Sequence, residues 1–249
     1  MSGSVFLLVG AGVAAGLCGS IAGLASLFSY PALLAAGLPA TVANVTNTVA
    51  LTVSTFGAAA SSRVELVGQW PSVRRFGLLT VLGGATGAGL LLVTPPGAFE
   101  RIVPFLVGGA SVVLLLQPWI RRLAVAAGHH RTGPAVVIGV LAVSVYGGYF
   151  GAAAGVLMLA LLLVGLPVSL LQGNALKTVL TGLANGVAAV GFALFGPVEW
   201  AAVAPLAAGV LVGAWAGPAI ARRLPTTLLR TAIGLAGIGL AVSLAAQAY

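Results

Sequence analysis

The sequence predicts an all-helical, polytopic membrane protein of two inverted-topology repeats, each with about five helical segments that include short broken or re-entrant helices. Three observations carry this. Of the 249 residues 60% are hydrophobic and only 6% charged, against roughly 25% charged in a soluble domain. Apolar stretches of about 15 to 25 residues run without the alternation a β-barrel strand requires, and the 36 glycines suit helices that pack closely in lipid. Finally, residue patterns recur at a nearly constant interval.

With a mean hydropathy of +1.16 for 24.4 kDa, most of the exterior must face lipid rather than water. Charges, prolines and glycine clusters divide the first half into segments at about 4–18, 20–37, 40–62, 71–94 and 99–126. The second half divides at about 134–147, 149–165, 168–196, 200–222 and 226–247. This gives an N-terminal repeat over 1–126, a basic connecting loop over 127–133 and a C-terminal repeat over 134–249. The register is explicit. Gly37-Leu38-Pro39 matches Gly165-Leu166-Pro167, Asn47 matches Asn174 with one residue skipped, Trp70 matches Trp200, Gly84-Ala85 matches Gly213-Ala214, and Arg101 matches Arg230.

Orientation follows from cations, which stay on the cytoplasmic side. Arg63, Arg74 and Arg75 flank the third-to-fourth loop of the first repeat, whereas Arg222, Arg223 and Arg230 flank the fourth-to-fifth loop of the second. With Arg121, Arg122 and Arg131 also cytoplasmic, one threading satisfies all clusters: the repeats are inverted and both termini face outward. The first two segments of each repeat are short for a hydrocarbon core of roughly 30 Å. They are expected to form broken or re-entrant pairs that meet at Gly16-Leu17-Cys18-Gly19-Ser20 and at Gly147-Gly148 before Tyr149.

Several classes of function are excluded or made improbable by the inventory. The net charge of +8 is scattered between apolar stretches, so it marks topology and not nucleic acid. The single cysteine, Cys18, permits no internal disulfide, and His129 and His130 sit together in a loop, so no metal or other cofactor is expected. Hydrolysis inside the membrane would need a nucleophile with a base, yet the chain has no aspartate and Cys18 has no partner. The N-terminus lacks a basic signal region and Leu17 precedes Cys18, so the first helix is read as part of the mature protein.

The buried polar residues define a candidate site. Lys177, the only lysine, lies inside a long apolar segment, while Glu65, Glu100 and Glu199 all fall at loop ends. An ammonium at that depth costs at least about 2.5 kcal/mol. Its expected counter-ion is a ligand, although hydrogen bonds to carbonyls of a broken helix or a neutral amine are the alternatives. Asn44, Thr46, Asn47 and Thr48 open the third segment of the first repeat; Gln172, Asn174, Thr178, Thr181 and Asn185 occupy its counterpart. Asn47 and Asn174 form the best pair, and Asn174 shares a helix face with Lys177. The threonines serve equally as interhelical or same-helix hydrogen-bond donors. Free N–H groups at Ser20 and Ile21, and at Gly148 and Tyr149, are expected to start new helices and bind an anion. The pairs Gly12 with Gly16, Gly19 with Gly23, Gly151 with Gly155, and the run Gly209, Gly213 and Gly217 are more simply read as tight crossings.

The order of these motifs resembles the sulfite exporter TauE/SafE family of membrane anion transporters. It rests on the glycine-rich break, Gly37-Leu38-Pro39, Ala43-Asn44-Val45-Thr46-Asn47 and the basic loop at Trp70. In the second half it rests on Gly173-Asn174-Ala175-Leu176-Lys177, Glu199-Trp200, Gly213-Ala214-Trp215-Ala216-Gly217 and Ala221-Arg222-Arg223-Leu224-Pro225. The resemblance implies a carrier of small sulfur-containing oxyanions such as sulfite, sulfoacetate or other organosulfonates, an exporter in a prokaryotic inner or plasma membrane. Asn47, Asn174 and Lys177 carry over to its substrate site, with Asn44, Thr46, Ser20, Gly148, Tyr149 and Thr178 beside them. The signature departs at Gly19-Ser20-Ile21-Ala22-Gly23 and at Gly147-Gly148-Tyr149-Phe150-Gly151, where Ser20, Tyr149 and Phe150 would tune the pocket. An importer or channel for another small anion and a non-transporting subunit are the rival readings, and a homo-oligomer stays open.

Overall fold

The structure is a computed structural model that describes residues 2–22, 25–61, 65–126, 133–221 and 226–249, with side chains described outside 2–4, 20–22, 54–61, 217–221 and 226–229. Arg63, His129, His130, Arg131, Arg222 and Arg223 therefore lie outside the described residues, as do Gly23 and the side chains of Ser20, Ile21 and Gly217.

The described residues are helical with no strand. In order they form α1 (Ser2–Ala22), α2 (Ser26–Ala35), α3 (Ala40–Ser61), α4 (Trp70–Val93), α5 (Pro96–Ala126), α6 (Pro134–Tyr149), α7 (Ala154–Gly165), α8 (Leu170–Phe195), α9 (Trp200–Ala221) and α10 (Thr226–Ala248). Local chemistry sets several ends. Ser169 and Gln172 form a reciprocal capping box at the start of α8, with bonds of 3.0 and 3.2 Å. Pro71 and Pro134 stand in the first turns of α4 and α6, where a missing N–H costs nothing. Gly37 closes α2 at φ +91°, which lets its own N–H and that of Leu38 reach back to Leu34 and Leu33.

Among the described residues α4, α5, α8 and the Arg230–Ala248 stretch of α10 are long and apolar enough to cross a membrane. At 1.5 Å per residue, the 10 residues of α2 and 12 of α7 reach only about 15 and 18 Å, well short of the hydrocarbon core. Phe6, Phe105, Leu194, Phe195 and Trp215 point outward as large exposed apolar groups, an exterior suited to lipid.

The two halves interleave. Helix α1 packs most extensively on α9, and α4 on α6; α3 lies against α8 and α9, α4 against α8, and α5 against α10. Small-residue crossings allow this. A Cβ on Gly12 or Gly16 would run into the α9 backbone at Leu206 and Val210, and one on Gly209 or Gly213 into the α1 backbone at Val9 and Val13. The α4–α6 crossing repeats the device: a Cβ on Gly87 would strike the carbonyl of Val145, and one on Gly148 that of Gly84. With no apolar drive between helices in lipid, such close backbone approach supplies the van der Waals contact that holds them.

That use of glycine corrects the expected breaks. Helix α1 runs unbroken through Gly16–Ser20, and α6 runs through Gly147-Gly148 to Tyr149. Ser20, Gly148 and Tyr149 therefore lie inside helices rather than at helix N-termini, because Gly16 and Gly148 serve the crossings with α9 and α4. The α6–α7 break falls at 150–153, where Gly151 (φ +78°) and Ala153 (φ +59°) adopt left-handed conformations.

Overpacking a crossing should destabilise the protein. Gly87→Leu and Gly213→Leu are each expected to lower the melting temperature of the detergent-purified protein, at a cost of about 1–3 kcal/mol. Gly89→Leu, at an α4 position with nothing within 4 Å, is expected to leave it unchanged in the same thermal unfolding assay.

Candidate functional site at the break between α6 and α7

The α6–α7 break is held from within. The carbonyl of Tyr146 accepts from the N–H groups of Phe150 (2.9 Å) and Gly151 (3.0 Å), and its hydroxyl donates to the carbonyl of Ala152 at 2.7 Å. Tyr146 thus ties α6 to the far side of the break. Three helices supply walls. The Phe150 ring lies edge-on to Tyr30 of α2 at 5.5 Å and beside Phe99 of α5 at 6.5 Å, while Tyr149 meets Phe99 at 5.8 Å. From α3, the amide nitrogen of Asn44 donates to the carbonyl of Tyr149 at 2.9 Å.

At the start of α7 the N–H groups of Ala154 and Val156 bond back to Gly151 and Ala153. Those of Ala152, Ala153 and Gly155 donate to no acceptor among the described residues. Ala152 and Ala153 are only 2% and 4% exposed, so these are interior donors at the positive end of a helix dipole.

Helix α8 lines the same break. A Cβ built on Gly155 would sit 3.4 Å from Cδ of Lys177, and one on Gly151 would sit 3.8 Å from Oδ1 of Asn185. Lys177, Thr181 and Asn185 are spaced at four-residue intervals and so share one helix face. The half-buried Lys177 makes no ion pair or hydrogen bond through its ammonium among the described residues. Gly155 is what leaves room for its chain beside the α7 N-terminus. On the α5 side of the break, a largely apolar cavity of about 210 Å³ is lined by Phe105, Val113, Tyr146, Ala152, Ala153 and Leu157.

The other expected site residues separate into groups. Asn44 joins the break directly. Asn47 is buried on the same α3 face with its Oδ1 unbonded. The Thr46 hydroxyl accepts from the N–H of Glu199 at 3.0 Å, which makes it a cap of α9. Thr48, Thr178 and Thr181 bond their own helix carbonyls at Asn44, Asn174 and Lys177. Asn174 is exposed on the first turns of α8. Helices α3 and α8 begin 130 residues apart (40 and 170), as do α4 and α9 (70 and 200) and α5 and α10 (96 and 226). At that interval Asn44 matches Asn174 and Asn47 matches Lys177, with no residue skipped. Tyr146 and the backbone donors at 152–155 were absent from the expected site. The two glycines that bracket Gly151-Ala152-Ala153-Ala154-Gly155, the first of them left-handed in the structure, are their signal in the sequence. No group of three His, Cys, Asp or Glu among the described residues could hold a metal ion.

Apolar helices that surround a broken helix with an interior lysine define a multi-pass membrane protein of the transporter class. The sequence matches the family described as Sulfite exporter TauE/SafE over residues 8–244. The chain belongs to that family, and it is a membrane transporter. A relative from Sinorhizobium sp, described as "Probable membrane transporter protein ORF9", is 27% identical over 249 residues, covering 97% of this chain and 92% of that protein. No solved structure matches it.

Removing the Asn44 donor should strand the Tyr149 carbonyl in the interior. Asn44→Leu is expected to cost about 1–3 kcal/mol of stability, whereas Thr181→Val, which loses only a same-helix bond, is expected to cost less than about 0.5 kcal/mol. Denaturant unfolding in micelles checks both.

Proposed function

We propose that the protein exports small sulfur-containing oxyanions, such as sulfite, sulfoacetate or other organosulfonates, across a prokaryotic cell membrane. The anion would bind at the α6–α7 break. The observation that carries this is the placement of the Lys177 chain against Gly155, beside three N–H groups without acceptors and with no carboxylate in reach. Ammonium and helix N-terminus are both positive, and each repels the other until an anion lies between them. A tetrahedral or pyramidal oxyanion has several acceptor oxygens, enough to engage the ammonium and the N–H groups of Ala152, Ala153 and Gly155 together. The Asn185 side chain, on the Lys177 face, adds a polar group to the other end of the break.

The reading includes two inverted repeats, 1–126 and 134–249. Support comes from the 130-residue interval of three helix pairs and from the exchanged packing, in which the first helix of each half lies on the fourth helix of the other. Alternating access would then come from one half rocking on the other across the glycine crossings, with the break carrying the anion near the midplane.

Sulfite, sulfoacetate and taurine added to the purified protein are each measured for a rise in melting temperature, the expected sign of binding. Lys177→Gln is expected to insert and fold normally but to weaken anion binding by about 10- to 100-fold, the loss of one charge-assisted hydrogen bond, and to abolish export from proteoliposomes. Full transport by that variant would discard the site.

A further inference from the structure

We infer that the other face of the same break binds a monovalent metal cation, held by the C-terminal carbonyls of α6 and by oxygen atoms of α3. A broken helix exposes two ends of opposite polarity. The α7 end offers donors; the α6 end offers acceptors, for the carbonyls of Gly147 and Gly148 accept no hydrogen bond among the described residues. Both glycines are buried, so bulk water does not satisfy them.

Helix α3 reaches this end through Asn44. The orientation of the Asn44 amide is fixed, since its nitrogen donates to the Tyr149 carbonyl. Its Oδ1 is therefore the atom left over, in a side chain 1% exposed and without a donor. Thr41, Asn44 and Asn47 are spaced three residues apart on one face of α3, and the Thr41 hydroxyl and the Asn47 Oδ1 are likewise buried and unbonded. The Tyr30 hydroxyl, in a residue 2% exposed whose ring packs on Phe150, is a fourth unbonded oxygen. A buried acceptor without a donor costs about 1–3 kcal/mol, and the amide oxygens of Asn44 and Asn47, one turn apart on α3, lack one, whereas the hydroxyls can also donate.

An oxyanion satisfies only the two hydroxyls, which can donate to it, and leaves the amide oxygens and the Gly147 and Gly148 carbonyls unsatisfied; it does not supply the missing partner. Lys177 does not either, since it donates to none of these atoms. A cation with oxygen ligands does. All the ligands are neutral, and a divalent ion would call for carboxylates that the described residues do not bring together here. The ion is therefore monovalent. Half-helix C-terminal ends coordinate such ions in transporters with discontinuous helices. The register agrees: Asn47 stands 130 residues before Lys177, the interval separating α3 from α8. Equivalent positions of the two halves thus carry an oxygen for a cation and an ammonium for an anion. A role for the cation in driving transport rests on the oxyanion reading above; its binding does not.

The test is thermal unfolding of the full chain in detergent, without any oxyanion, in sodium, potassium or choline chloride at equal concentration. A saturable rise in melting temperature with sodium or potassium over choline is expected. Asn47→Ala should abolish the rise, Asn47→Asp should lower the half-saturating concentration at least tenfold, and Lys177→Ala should keep the rise while losing the response to sulfite. Equal melting temperatures in all three salts, or an undiminished alkali response in Asn47→Ala, would overturn the cation site. A native protein without any sulfite response, or an undiminished sulfite response in Lys177→Ala, would overturn only the oxyanion reading.

Discussion

A helix interrupted inside a bilayer must find partners for the backbone groups that the interruption frees, because lipid supplies none. The organisation around α6 and α7 follows from that requirement. Tyr146 answers part of it twice, through its carbonyl toward Phe150 and Gly151 and through its hydroxyl toward Ala152. Asn44 answers another part at Tyr149. The groups left over are sorted by sign: the N–H groups of Ala152, Ala153 and Gly155 on one side, the carbonyls of Gly147 and Gly148 on the other. Chain geometry does the sorting, since the N-terminus of one helix and the C-terminus of another must have opposite polarity.

Such a break is also positioned by its neighbours, and the glycine crossing on α4 brings one of them into backbone contact. Gly148 is both the penultimate residue of α6 and the point where that helix touches Gly84 of α4. The α6 terminus is therefore clamped one residue before the chain leaves helical geometry. The chain turns immediately beyond the clamp, at Phe150, and the left-handed Gly151 and Ala153 complete the turn. Aromatic contacts from Tyr30 and Phe99 then fix Phe150 from α2 and α5. Crossing and break form one mechanical unit.

Most of the fold was legible in the sequence because lipid imposes helices and lets little else through. The bounds of α3, α4, α5, α8 and α9 fall within a few residues of those read from charges and prolines. The breaks were misplaced for a physical reason: Gly16 and Gly148 look like helix breakers, whereas in lipid a helical glycine is also a contact surface. Periodicity does not distinguish these uses; only the partner helix does. The same limit applies to Thr46, whose hydroxyl caps a helix 153 positions away, and to Asn185, whose relation to Gly151 depends on the packing of α8 on the break. Lys177 was legible because a lone cation in an apolar segment has few roles, and its position beside Gly155 narrows them.

The energetic case turns on what the protein omits. An ammonium in this segment carries an insertion cost of at least about 2.5 kcal/mol. Proximity to a helix N-terminus adds an unfavourable contribution of about 0.3–1 kcal/mol, since the dipole there is positive. A glutamate paired with Lys177 would offset both, and no such pair forms among the described residues; Glu100 of α5 is exposed and acts instead on Tyr30. A permanent carboxylate would also occupy the place of a mobile anion and hold the lysine in one state. In the proposed mechanism the uncompensated charge is therefore the functional element: the loaded break is close to neutral inside the membrane, the empty one is not, and the difference favours movement of the loaded form.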